Sequence, residues 1–350
     1  MIKGIGHPFY NKVMLNDKVQ FSIVIPTYNP DFKIFETLKK VQKSLLHFQD
    51  ISKIFFEILI INDGGKKIED EILKIIPNLK IIDLKKNRGV GYAREVGARL
   101  AKYPKIFFID SDVIIDDNAF YILYNEFVNM NDAGSLGALQ SYRNLNLSYS
   151  SKLVCAKTCY GFENKPEIIE FSAIHSECCI VDKFFLRKIG GWNFYSKSGG
   201  EEFELGHRIL ANGKKNYLTK KTRYSTYYEN IFSRCNKIIF RTSNYLPIFF
   251  KRKKFESKGA FATNTQVLSV FLTTIFLFFI IISYFFKVHY LFFLFLILLN
   301  IFVELDFLKF SKKLNTSKYI PYSLVGIYLI NFSILIGCAY GMFNFLIKKK

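Results

Sequence analysis

Apolar residues fall into short continuous runs in the first third of the chain. Phe21 to Pro26 (FSIVIP), Ile54 to Ile61, Leu79 to Leu84 and Ile106 to Ile109 are such runs, and each reads as a buried strand. Between them the apolar positions switch to helical spacing. Ile34, Leu38, Val41, Leu45 and Leu46 mark a helix over Asp31 to Phe48. Ile68 to Ile76 reads as a second helix, and Val90 to Tyr103 as a third that stops at Pro104. Strands alternating with helices predict an α/β domain with a parallel sheet. In such sheets ligands bind beyond the carboxyl ends of the strands. One strand runs into the turn Asn62-Asp63-Gly64-Gly65 and another directly into Asp110, so Asp63 and Asp110 are expected to face one crevice.

The alternation loosens after about Asn131. Leu136 to Ser141, Glu167 to Ile174 and Cys178 to Asp182 read as strands. Lys183 to Ile189 reads as a short helix stopped by Gly190-Gly191, and Glu201 to Ala211 as another stopped by Gly213. The tail differs in kind. Val267 to Phe286 is uncharged and long enough to cross a bilayer, Val288 to Val303 is apolar but short, and Ile320 to Ile347 is a third uncharged stretch. The run Lys251-Arg252-Lys253-Lys254 precedes them, and Lys309, Lys312, Lys313 and Lys318 separate the second from the third. Both groups favour the cytoplasmic side. Three crossings would place Lys348-Lys349-Lys350 outside, against that rule, so the number of crossings and the side of the C-terminus stay open. The division expected is an N-terminal extension (1–19), an α/β domain (20–228), a basic interfacial segment (229–258) and a membrane region (259–350).

The chain of 350 residues carries a net charge of +20 with 50% hydrophobic residues, a combination explained by the apolar excess after Val267. No zinc-finger, RNP or basic-heptad pattern accompanies the charge, so no nucleic-acid partner is expected. Cys155, Cys159, Cys178, Cys179, Cys235 and Cys338 form no CxxC pair and read as reduced thiols rather than a zinc site. No apolar leader follows the N-terminus, so no signal peptide is expected. Glu229 to Lys254 interleaves Arg234, Lys237 and Arg241 with Ile and Phe, and reads as an amphipathic stretch on anionic lipid.

Four clusters carry candidate chemistry. In Asp110-Ser111-Asp112, two carboxylates at a strand end suit one divalent ion shared with a diphosphate. Asp63 suits a nucleobase N–H or a ribose hydroxyl, or equally a capped turn. Asn87-Arg88-Gly89-Val90-Gly91 opens the helix bearing Arg94 and suits phosphate, but the spacing is not GxGxxG. Glu201 and Glu202 open a helix where acids are favoured by its dipole, and either suits a general base.

In order, PTYNP (Pro26 to Pro30), INDGG, NRGVGYAREVG, FFIDSDV, IGGW (Ile189 to Trp192) and GGEEFELGHR resemble the motifs of family 2 glycosyltransferases. The resemblance spans about Phe21 to Lys215. It implies a GT-A fold, that is, a Rossmann-like parallel or mixed sheet with flanking helices, here with C-terminal transmembrane helices. It implies inverting transfer from a nucleotide-sugar (UDP, GDP or dTDP type) with Mg²⁺ or Mn²⁺. By resemblance Pro26, Thr27, Asn29, Asp63, Arg88, Arg94 and Asp110 bind the donor. Asp110 and Asp112 hold the metal, Asp112 more directly. Glu202 stands at the position of the base with Glu201 beside it, and Trp192 and Arg208 lie on the acceptor side. Glu202 replaces the usual Asp, Glu95 stands where Asn is common, and Asn62 replaces the first Asp of the usual turn. The Gln-x-x-Arg-Trp signature of processive synthases is absent from the sequence. The expectation is therefore a multi-pass enzyme of the cell membrane with a cytoplasmic catalytic domain. It would move one sugar to a polyprenyl phosphate or to a lipid-linked or cell-surface glycan. The alternative is a non-catalytic membrane protein whose GT-A-like domain binds nucleotide or a partner.

Overall fold

The computed structural model describes residues 18–69, 71–72, 75–193, 200–252, 264–314 and 319–347. Most of the expected N-terminal extension, Lys253-Lys254, Lys318 and the C-terminal lysines lie outside these residues.

Four parallel strands form the first half of the sheet. They are β1 (Val19–Thr27), β2 (Ile54–Asn62), β3 (Leu79–Asp83) and β4 (Lys105–Ile109), in the order β3-β2-β1-β4. Their unbroken apolar runs reflect burial on both faces. Phe21, Ile23 and Ile25 of β1 point to one side and Val24 to the other, as the period of two demands. On the first side, helix α1 (Lys33–Ile51) and helix α3 (Ala119–Asn129) close over an aromatic cluster. Phe21 and Phe107 lie 5.1 Å apart between centroids, and Phe107 and Phe120 4.8 Å. On the other side α2 (Val90–Leu100), α5 (Lys183–Lys188) and α6 (Glu201–Ala211) cover Leu59, Ile61, Ile106 and Phe108.

The second half of the sheet is mixed. β8 (Cys178–Asp182) runs antiparallel to β4, β6 (Ala133–Gln140) antiparallel to β8, and β9 (Lys215–Thr226) parallel to β6. The short β5 (Val113–Ile115) and β7 (Ile168–Phe171) both pair antiparallel with β9. Two expectations change here. No α-helix forms among the described residues of 68–76, which make only i→i+3 bonds (Ile72 N to Glu69 O, 3.2 Å; Ile75 N to Ile72 O, 3.1 Å). The sheet, read as parallel from the alternation of strands and helices, is mixed beyond its first four strands, with β6 and β9 again a parallel pair.

The C-terminal helices dock on the α/β domain through α4 (Tyr149–Tyr160). Helix α7 (Ile231–Arg252) follows β9, and α8 (Asn264–Ser283) forms a hairpin with α9 (Tyr290–Val303). α9 bends by 60° into the amphipathic α10 (Leu305–Leu314), and α11 (Ile320–Ile347) follows. Among the described residues two helices are long and apolar enough to cross a membrane, Thr265–Ser283 and Ile320–Leu346. The middle stretch reaches that standard only if the bent α9–α10 pair is taken as one span. Its 14 residues rise about 21 Å, short of a hydrocarbon core of about 30 Å.

Buried polar side chains tie α8, α9 and α11 together. Asn331 donates to the Ser269 and Thr273 hydroxyls, both at 2.9 Å, and accepts from Gln266 at 2.7 Å; Ser269 donates to Asn300 at 3.2 Å. At the bend, Glu304 is 1% exposed and pairs with Lys157 of α4 at 2.8 Å. Tyr160 packs on Phe307 and Phe310 of α10. α11 presses against α7 through Gly337 and Gly341. A Cβ on Gly337 would sit 2.7 Å from Thr242 Cβ and 2.8 Å from the Ile239 carbonyl. Gly337→Leu should therefore lower the thermal stability of the detergent-solubilised protein by about 1–3 kcal/mol. Exposed Met342→Leu is the control, and equal melting temperatures would show that α7 does not pack there.

Candidate active site

β1 pairs with β4 only as far as Val24 and Phe108, and beyond that pair the two strands part. This is where the strand order reverses, the place where open α/β sheets bind ligands. Each wall of the resulting crevice is a strand end.

The first wall joins β1 to β2. Pro26 pairs with Ile61 and Thr27 with Asn62. The Thr27 hydroxyl and the Asn62 side-chain oxygen Oδ1 are both buried and make no hydrogen bond among the described residues. Unmade bonds at two neighbouring buried atoms point to a ligand with donors and acceptors of its own. The Asn62 amide is engaged, donating to the Lys66 carbonyl and to Asp83. Asp63 is 3% exposed and holds the loop before α2, accepting from the Arg88 and Gly89 N–H groups at 3.0 and 2.7 Å. Burial raises its pKa, although those bonds pull it back. Asn29 adopts φ 49° and accepts from Lys66 N, fixing the loop after Pro26 against residues 64–66. Arg88 lies over the Tyr92 ring at 3.7 Å.

The second wall is the end of β4. Asp110 accepts from Arg94 at 2.7 Å, and Arg94 is 2% exposed. The guanidinium rests over Trp192 at 5.2 Å. Burial opposes its charge, but Asp110, Glu202 and Glu201 more than offset burial and raise its pKa. Asp110 itself is pushed up to about 7. Burial is the main cause, Arg94 opposes it, and Glu177 and Asp112 add repulsion. Asp112 is raised by burial and then by Glu177, with Lys33 and Lys237 opposing. Crowded carboxylates with raised pKa values fit a divalent cation, which would compensate their charge. Among the described residues no three acidic, His or Cys side chains form a ready cage. The donor set thus fits a hard ion that takes two carboxylates and leaves its other positions to phosphate and water.

The third component is α6. Glu202 accepts from the Ser176 hydroxyl, and its carbonyl accepts from Ile174 N at 3.1 Å. Glu201 is 6% exposed. The next residue after Ser176, Glu177, accepts the Asp110 N–H at its carbonyl (3.0 Å), so residues 176–177 bridge the acids of β4 and α6. The Glu177 carboxylate takes bonds from Tyr224 and Gln140, with His175 Nε2 3.9 Å away. Ser176 and Glu177 belong to no motif read from the sequence. They reach the site through the antiparallel register that sets Ile109 against Cys178.

Trp192 and Arg208, expected on the acceptor side, both pack around the turn at Gly190-Gly191. Trp192 is 1% exposed and packs edge-on against Phe108, with centroids 5.4 Å apart. Arg208 forks onto Glu204 and donates to the Ile189 and Gly191 carbonyls at 2.6 and 2.7 Å. Gly191 has φ 70°, and a Cβ there would lie 2.3 Å from Glu95 Oε2. That same oxygen accepts from Trp192 N at 2.7 Å. Glu95 and Arg208 therefore clamp the Gly-Gly turn and seat Trp192 beneath Arg94.

Residues 22–190 match the sequence model of glycosyl transferase family 2. They form a family 2 glycosyltransferase domain. The chain is 36% identical over 99 residues to the uncharacterized glycosyltransferase YkcC of Bacillus subtilis, covering 27% of this chain and 29% of that protein. It is 25% identical over 201 residues to the poly-beta-1,6-N-acetyl-D-glucosamine synthase of Staphylococcus epidermidis, covering 53% and 46%. The chain thus spans less than half the length of these curated relatives. Among solved structures, the mannosyltransferase PcManGT from Pyrobaculum calidifontis, in complex with GDP-Man and Mn²⁺, is similar over 93% of this chain and 88% of that one. The TM-score is 0.54 at 13% identity, a likeness of fold. The GT-A architecture expected from the motifs is the one found.

Two outcomes test the packing of this family 2 domain. Arg94→Met leaves Asp110, Glu201 and Glu202 without their buried cation and should cost about 3–5 kcal/mol in thermal unfolding. Trp192→Phe should lower stability while leaving the acceptor KM within about twofold. An acceptor KM raised tenfold, with stability intact, would return Trp192 to the acceptor side.

Proposed function

We propose that the chain is a membrane-anchored inverting glycosyltransferase that moves a single sugar from a nucleotide-sugar to a membrane-associated acceptor. The observation that carries this reading is the continuity of the site, in which Arg94 joins the carboxylate of Asp110 to those of Glu201 and Glu202. Thr27 and Asn62 turn their unmatched polar atoms to the nucleoside. Asp63 acts on it through the loop it holds at Arg88 and Gly89. Because Asp110 is engaged by Arg94, Asp112 has the freer carboxylate to hold Mg²⁺ or Mn²⁺ with it. Such an ion, when bound, offsets charge on the departing diphosphate. Glu202 accepts the proton of the attacking hydroxyl at the oxygen not bonded to Ser176, and Ser176 sets its direction. The new bond forms at the anomeric carbon as the bond to the diphosphate oxygen breaks on the opposite face. Arg94 pulls the pKa of Asp110 back down against burial and attracts the Glu202 carboxylate electrostatically.

The membrane part of the reading rests on α8 and α11. α10, which carries Lys309, Lys312 and Lys313, lies on the same side as the catalytic domain, with Lys313 paired to Glu163 at 3.3 Å. Positive charge on that side favours a cytoplasmic catalytic domain. The donor is a UDP-, GDP- or dTDP-sugar, and the acceptor a polyprenyl phosphate or a lipid-linked or cell-surface glycan.

The test is turnover of nucleotide-sugar by the full chain in detergent with Mn²⁺. Asp112→Ala should abolish metal-dependent donor binding. Glu202→Gln should lower transfer to a hydroxyl acceptor by about 10²–10⁴ while leaving donor binding in place. Wild-type and Glu202→Gln protein of equal rate would instead favour a domain that binds nucleotide without catalysis.

A further inference from the structure

The sequence pattern of 229–254 predicts cations lying on anionic lipid, and in the fold Arg234, Lys237 and Arg241 of α7 follow directly on a strand end beside Asp112. Thr226, at the end of β9, pairs with Val113 and donates to the Asp112 carbonyl at 3.5 Å. Five residues later α7 begins, its first N–H donating to Ser150 of α4. The start of α7 is therefore tied to the strand that follows Asp112. Arg234, Lys237 and Arg241 recur at spacings of three and four along this helix and so share one face. Arg234 donates to Thr158 at 2.5 Å, and Arg234 and Lys237 both reach Glu229 at 3.4 Å. Farther along the same face, Tyr245 meets Phe203 of α6, the residue after Glu202, at 5.1 Å between centroids. The row thus runs from Asp112 toward the acids of α6. The adjacent face of α7, through Ile239, Thr242, Ser243 and Leu246, is covered by α11.

The charge balance is uneven on each side. Asp110, Asp112, Glu177, Glu201 and Glu202 gather around the crevice. Among the described residues, the ion pairs of the α7 row use a single carboxylate, Glu229. Lys237 lowers the pKa of Asp112 as one of its smaller influences. Arg241 and Arg234 act likewise on Glu177, whose pKa falls despite burial, with His175 and Tyr224 the larger causes. An anionic acceptor entering such a crevice is repelled by five carboxylates unless cations face them. α11 also leaves Val325, Phe332 and Phe343 exposed, an apolar surface on a helix packed against the row's own helix.

We propose that Arg234, Lys237 and Arg241 of α7 bind the phosphate of a membrane lipid ending in a phosphate monoester, and that this lipid is the acceptor of the transfer. The inference rests on the transferase reading and narrows its acceptor from the broader set of membrane glycans. The step balances. A phosphate oxygen forms the bond to the anomeric carbon, and the bond from that carbon to the diphosphate oxygen breaks. The nucleoside diphosphate leaves, and a monoester still carrying one proton gives it to Glu202. The cations hold the phosphate by charge-assisted hydrogen bonds, with Arg as the bidentate partner.

The experiment titrates the full chain in detergent with farnesyl phosphate, farnesol, and UDP with Mn²⁺, reading binding by calorimetry. Wild-type protein should bind farnesyl phosphate at least tenfold more tightly than farnesol. The double variant Lys237→Gln/Arg241→Gln, at two exposed positions, should lose that advantage. The charge-keeping Lys237→Arg/Arg241→Lys should retain most of it, which separates charge from folding. Unchanged farnesyl phosphate binding in the Gln variant overturns the proposal. So does a loss that falls on UDP instead, which would make the row a site for the donor diphosphate. Loss only of binding to vesicles of anionic phosphatidylglycerol, with farnesyl phosphate unaffected, overturns it in favour of a membrane-surface patch. The transferase reading fails separately, if wild-type protein with Mn²⁺ turns over no nucleotide-sugar.

Discussion

One buried cation holds the site together. Arg94 lies inside the domain over Trp192, and a guanidinium in that position persists only with its charge matched. Asp110 supplies the direct bond, and Glu201 and Glu202 supply further attraction. Much of the surrounding structure serves this arrangement. α2 brings Arg94 to the end of β4. Glu95, one residue later, holds the Gly-Gly turn that seats Trp192, and Arg208 fastens the same turn from α6. The acids of two separate motifs are thereby fixed relative to each other by a residue that need not touch substrate.

The apolar C-terminal helices join the same network rather than hanging from it. Glu304 at the α9–α10 bend pairs with Lys157, and the next residue of α4, Thr158, accepts from Arg234. A path of packed and bonded groups thus runs from the bend between two apolar helices to the cations beside Asp112. α7 packs on α11 along one face and meets Phe203 of α6, beside Glu202, through Tyr245.

The sequence was most legible where burial was most complete. β1, β2, β3 and β4 sit where their apolar runs placed them, because a parallel strand buried on both faces has no polar alternation to hide it. β9 went unread: KNYLTKKTRYST carries four cations in twelve residues, and its role in the sheet depends on partners distant in the chain. α4 went unread for a different reason. It is buried nearly all round among α7, α10 and α11 by Ser, Thr, Cys and Ala, which leaves no apolar stripe. Of the site, Asp63, Asp110, Asp112, Glu201 and Glu202 were visible as acids at strand ends or a helix start. Ser176 and Glu177 were not, since only the antiparallel register of β8 on β4 brings them in. The basic face of α7 was visible as a face, but which groups it lies beside depends on tertiary packing.

The central claim is that the crevice between β1 and β4 holds a nucleotide-sugar together with a divalent ion. The most direct measurement is the melting temperature of the full chain in detergent with UDP-, GDP- and dTDP-sugars, each with and without Mn²⁺. Ligand binding to the native state raises apparent stability by mass action, about 2.7 kcal/mol at a hundredfold excess over Kd. The account predicts that one nucleotide class raises the melting temperature, and that Mn²⁺ strengthens the effect. Melting temperatures that no nucleotide-sugar moves, with or without Mn²⁺, would contradict it.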